Sequence, residues 1–141
     1  MIPTSSGSAV EGVGAVKEEG LRHLTDRERA VLNEFLSKVL EQHGSDVELI
    51  RLFGSKVRGD FDEESDIDVL VVVNKDGQLW DDLVALEVDL MLKYNVVISS
   101  LIMSKENYEW HRRYRAPLYR SIEREGVDLW MRTPKSSSVS A

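Results

Sequence analysis

The chain has 141 residues, 42% of them hydrophobic, with 25 acidic against 18 basic side chains and a formal net charge of −7. That length is expected to hold one domain with a proper core and no second domain beside it. There is no cysteine, no apolar run near membrane-span length and no charged-then-apolar leader, and the negative excess argues against broad nucleic-acid binding, so the default reading is a soluble cytoplasmic protein.

Residues 1–20 are rich in Gly, Ser, Val and Ala without a helical or strand period, and 132–141 are serine-rich. Both are expected to be disordered tails around a domain at 21–131. Thr25-Asp26-Arg27-Glu28 reads as a capping box opening a helix, with Val31, Leu32, Phe35, Leu36, Val39 and Leu40 on its apolar face and Gly44 as C-cap. Val47 to Phe53 then alternates enough for a strand and runs into Gly54-Ser55. Gly54 permits a sharp turn and close approach to a ligand, Ser55 offers a hydroxyl and an amide to phosphate oxygens, and Arg58 lies where a short helical turn returns it over the same pocket.

Asp66 and Asp68 sit two apart at the head of Ile67-Asp68-Val69-Leu70-Val71-Val72-Val73, a β-branched run that reads as a strand buried on both faces. A strand's period of two puts both carboxylates on one side. Two acids on a buried element repel each other unless a cation lies between them, and a hard divalent ion fits: Mg²⁺ first, with Mn²⁺ as the alternative. Asp60, Asp62, Glu63 and Glu64 read as a solvated loop.

Beyond the strand, Asn74 to Gly77 marks a turn, and Leu79, Trp80, Leu83, Val84, Val88, Met91 and Leu92 mark the apolar face of a second helix whose polar face carries Asp81, Asp82, Glu87 and Asp89. A third strand is expected over Val96–Met103. Ser104 caps a helix through Tyr114, and Pro117 starts another that ends at Gly126. This order predicts an α+β, α/β-like sandwich with a small three-stranded mixed sheet flanked by helices, in which the helix between the second and third strands permits a parallel crossover.

Gly54-Ser55, the ten-residue spacer containing Arg58-Gly59, and Ser65-Asp66-Ile67-Asp68 closely resemble the signature of the DNA polymerase beta-like nucleotidyltransferase superfamily, especially its minimal, antitoxin-like single-domain members. The resemblance runs loosely from about Thr25 to Trp130, with its specific part between Phe53 and Val73. It implies the nucleotidyltransferase fold, Asp66 and Asp68 as catalytic metal ligands, and Gly54, Ser55, Arg58 and Ser65 as nucleotide-binding residues. The implied reaction is attack of an acceptor hydroxyl on the α-phosphorus of a nucleoside triphosphate with Mg²⁺-dependent loss of pyrophosphate. The expected donor is ATP, the group moved AMP, and the acceptor a protein or small molecule. Minimal members are often paired with a small helical partner of the HEPN type, and a homodimer is left open.

The sequence departs from that pattern at one place. The superfamily usually carries a third carboxylate on the next strand, whereas Val96 to Met103 holds no Asp or Glu; the positions facing the pair would be Val97 and Ser99, or Ile98 and Ser100. Three outcomes are open: slow catalysis with two aspartates, a carboxylate borrowed from elsewhere, or a site that binds nucleotide without turnover. The last corresponds to the alternative function, an antitoxin-like module acting by binding a helical partner. His23, His43 and His111 show no metal-ligand spacing and read as surface residues, while Tyr108 to Arg115 mixes aromatics with arginines and is the best partner-surface candidate.

Overall fold

The computed structural model describes residues 21–59, 66–74 and 79–132. The expected tails at 1–20 and 133–141, the acidic run 60–64, Ser65 and the turn residues 75–77 lie outside them. The first helix, α1 (Asp26–His43), begins as the capping box requires. Thr25 Oγ1 accepts from the Glu28 N–H at 3.1 Å, and Glu28 Oε1 accepts from the Thr25 N–H at 2.9 Å. Val31, Leu32, Phe35, Leu36 and Val39 are buried along its inner face. At its end Gly44 is not a left-handed cap: its φ of −57° carries the chain into a 3₁₀ turn, Gly44–Asp46, that leads into β1 (Val47–Phe53).

A short helical turn, α2 (Ser55–Arg58), follows β1. Then come β2 (Ile67–Val73), α3 (Leu79–Tyr94), β3 (Ile98–Ser104), α4 (Lys105–Arg113) and α5 (Pro117–Glu125). A fourth strand, β4 (Val127–Met131), corrects the expected count of three, so the sheet order is β3-β2-β1-β4. The five residues of β4 are too few to announce a strand by periodicity. They form one because the outer edge of β1 offers unpaired backbone groups, with Leu52 opposite Val127 and Ile50 opposite Trp130. Both β2 and β4 run antiparallel to β1, while β3 is parallel to β2, as a helical crossover allows. The last described residue, Arg132, donates its backbone N–H to Glu48 O at 3.0 Å and its side chain to Val47 O, one residue past the expected domain boundary.

Alternation splits the core into two layers. On one face Val47, Ile50, Leu52, Ile67, Val69, Val71 and Val73 pack under α1 and α3. On the other, Leu49, Leu70, Val72 and Met103 meet Ile122 of α5 and Tyr108 of α4. Each fully buried aliphatic or Phe side chain in these layers contributes about 1.5–3 kcal/mol relative to exposure.

The inner face of α3 differs from the expected one. Leu79, Leu83 and Leu90 are buried with Leu86 and Tyr94 beside them, while Trp80 is 61% exposed and Val84, Val88, Met91 and Leu92 also face outward. The helix carries two apolar stripes, and the leucine stripe is the one that meets the sheet. Tyr94 Oη donates to Glu34 at 2.6 Å and His43 pairs with Asp82 at 2.8 Å, which fixes α3 along α1.

Candidate active site

The register explains why the glycine turn and the aspartates meet. Asp68 lies opposite Phe53 in the β1–β2 ladder, so the residue after Phe53, Gly54, turns directly beside it. Gly54 has φ +91° and ψ −163°, a conformation open essentially to glycine alone. A Cβ built there would overlap Oδ2 of Asp68 and stand 3.0 Å from its Cγ. The absence of a side chain at Gly54 is therefore what lets the Asp68 carboxylate rest against the turn. Asp66, the residue before β2, is exposed. Burial pushes the Asp68 carboxyl above its ordinary range, the charge of Asp66 pushes it the same way, Arg58 opposes the shift, and Glu125 adds to it.

The turn is closed by its own backbone. Val57 and Arg58 donate to Gly54 O at 3.0 and 3.1 Å, and Gly59, with φ +90°, donates to Ser55 O at 2.7 Å. Lys56, at 1% exposure, points away from the pocket and pairs with Glu28 at 2.6 Å. The same Glu28 that completes the capping box thus anchors the turn to the start of α1. Arg51 is engaged as well, 2.6 Å from Asp128 with a 3.4 Å contact to the Tyr108 hydroxyl. Neither cation stands in for Arg58, which remains half-exposed over the site.

The face of β3 follows from its register. Ser99 pairs with Asp68 and shares its side of the sheet. Ser100 points the opposite way and donates to Glu87 of α3, whose carboxyl burial pushes up. Glu87 is thus half-buried beneath the sheet, neither on a solvated face nor at the site.

One acid in this pocket had no part in the sequence reading: Glu125, the last residue of α5. Its Oε1 accepts from the Gly54 N–H at 3.2 Å, and both its oxygens accept from Arg58 Nη1, at 3.0 and 3.2 Å. Gly54 is therefore flanked by Asp68 from β2 on one side and Glu125 from the α5–β4 corner on the other. The only sequence hint was a glutamate in the last turn of a helix, where the dipole disfavours it. His23, read as a surface residue, lies against Gly59: a Cβ there would come within 2.7 Å of its Nε2.

Residues 32–129, which include Gly54, Arg58, Asp66, Asp68 and Glu125, match the family described as a nucleotidyltransferase domain. The chain belongs to the nucleotidyltransferase family. It is 34% identical over 103 residues, 73% of this chain and 98% of the relative, to a Methanocaldococcus jannaschii protein provisionally named a protein adenylyltransferase. A second protein of that organism with the same provisional name is 34% identical over 77 residues, 53% of this chain and 78% of its own length. A crystal structure of a provisionally named nucleotidyltransferase from Sulfolobus solfataricus aligns over 82% of this chain and 86% of that one, with 20% identity and a TM-score of 0.45.

Among the described residues no group of three His, Cys, Asp or Glu side chains converges as a metal cage. The neighbouring carboxylates of Asp66 and Asp68, with Glu125 held by Gly54 and Arg58, fit Mg²⁺ better than an ion that needs an all-protein shell, because Mg²⁺ takes one or two carboxylates and completes its octahedron with water and phosphate oxygens. The raised Asp68 carboxyl marks a place where positive charge would be welcome. Also among the described residues, no helix is long and apolar enough to cross a membrane.

Proposed function

We propose that this nucleotidyltransferase moves AMP from ATP to a hydroxyl group, with a protein as the favoured acceptor class. The observation that carries the reading is the seating of Asp68 against Gly54, with Asp66 two residues ahead and Arg58 one turn beyond. Asp66 and Asp68 would hold Mg²⁺, which when bound neutralises charge developing on the attacking and leaving oxygens. Gly54 permits the close approach of phosphate to backbone, Ser55 supplies a hydroxyl and Arg58 a guanidinium to the outer phosphates, and Ser65 belongs to the same motif. The chain's own contribution is mainly position: a rigid strand end and a closed turn hold the donor so that a hydroxyl attacks in line. The provisional names of the two archaeal relatives support adenylyl transfer and a protein acceptor.

A second reading is supported by Ser99, which stands beside Asp68 where a third carboxylate would activate the acceptor. It makes the domain a nucleotide-binding module that acts by binding a partner. Incubation with ATP, Mg²⁺ and candidate partner proteins, helical ones included, separates the two. Transfer is expected to release pyrophosphate and add the mass of one AMP to an acceptor, and both signals should vanish in the Asp66→Asn, Asp68→Asn double variant. ATP binding with no pyrophosphate release under any acceptor would refute the transferase reading and leave the second.

A further inference from the structure

We infer that Glu125 is a further residue of the nucleotide site, one whose carboxylate takes the place of a phosphate and must be displaced when the triphosphate binds. This rests on the proposed nucleotide reading and adds to it a determinant of affinity. Two observations carry it. First, the groups that Glu125 engages are the Gly54 N–H and the Arg58 guanidinium, two cationic or donor groups of the turn assigned to the outer phosphates. A carboxylate presents two oxygens to a guanidinium in the geometry that a phosphate also presents. Second, Glu125 ends α5, where the helix dipole disfavours a negative charge, so its position is accounted for by these partners and not by its own helix. A carboxylate and a polyphosphate cannot both hold the same donors.

The Arg58 side chain is 45% exposed and that of Glu125 11%, so their pair is partly screened by water. The corner that carries Glu125 is held independently by the Arg51–Asp128 pair and by the β4 ladder. Release of the carboxylate therefore leaves the fold intact.

Titration of ATP with Mg²⁺, and separately of inorganic tripolyphosphate, into wild type, Glu125→Gln and Glu125→Ala proteins tests the inference by calorimetry. Both variants are expected to bind both probes about 1.5- to fivefold tighter than wild type, the range set by loss of one partly exposed ion pair. The gain should shrink when Arg58→Ala is added, which a purely structural role of Glu125 would not produce. Equal or weaker binding by both variants, with melting temperatures unchanged, overturns the inference while leaving the nucleotide reading in place. Weaker binding of ATP than by wild type that is seen only when Mg²⁺ is present overturns it in favour of Glu125 as a metal ligand. If wild type and variants alike bind neither probe, the nucleotide reading falls and takes the inference with it.

Discussion

Substituting Gly54 by alanine tests the site where backbone and chemistry meet. The residue holds φ +91° and ψ −163°, and an L side chain in that region costs about 1–3 kcal/mol. The new Cβ would also overlap the Asp68 carboxylate and stand 3.1 Å from Asp68 Cβ, so the aspartate must leave its rotamer, at about 0.5–1.5 kcal/mol more. The sum, about 2–4 kcal/mol, is a large part of the stability of an ordinary domain and corresponds to a fall in melting temperature of about 8–16 °C for a fold of this size. Gly44→Ala is the matched control. With φ −57° and nothing within 4 Å of a built Cβ, it should be neutral or stabilise by about 0.4–1 kcal/mol. Differential scanning calorimetry of the two variants measures the contrast, and Mn²⁺ titration followed by electron paramagnetic resonance reads the displaced carboxylate. A Gly54→Ala protein that melts within about 2 °C of wild type and binds Mn²⁺ equally well would refute the packing of Asp68 on the turn.

Asp68→Asn should stabilise the metal-free protein near neutral pH while abolishing the proposed adenylyl transfer. The folded carboxyl titrates above its ordinary value because of burial and the neighbouring Asp66, so its ionised form opposes folding above that raised pKa. The opposition fades as pH falls through the raised value toward the unfolded one. The advantage of the variant in thermal melts should accordingly be largest near about pH 7 and small near about pH 4; an advantage that grows toward acid would contradict the shift. Lys56→Met leaves Glu28 buried without its 2.6 Å partner and is expected to lose about 3–5 kcal/mol in urea unfolding, part of it recovered by adding Glu28→Gln. Loss of under about 1 kcal/mol would mean the pair is solvated. Arg51→Ala should loosen β4, seen as faster amide exchange at Val127 and Leu129, with the β1–β2 ladder unaffected; uniform exchange across the sheet would argue against a local role.

Local chemistry made most of the elements legible in the sequence. The capping box at Thr25 and Glu28, the β-branched run from Ile67 to Val73, and the proline and glycine that bracket α5 each act over a few residues, and each element stands where its pattern puts it. The same holds for the spacing that brings Asp66 and Asp68 to the head of one strand. What a pattern does not encode is which partner an element meets. On α3 the helical period revealed apolar stripes, but only contact with the sheet selected Leu79, Leu83 and Leu90 over Trp80 and Val88.

Tertiary structure decided the remainder. Strand β4 exists because β1 has a free edge, and the choice of Ser99 over Ser100 as the neighbour of Asp68 came from the parallel register. Glu125 reaches Gly54 across 71 residues of chain, through the packing of α5 on the sheet and the return of β4 beside β1. The sequence alone determined the strand, the turn and the paired acids, because those depend on neighbours along the chain. The place of Glu125 at the turn was decided by folding, because it depends on neighbours in space.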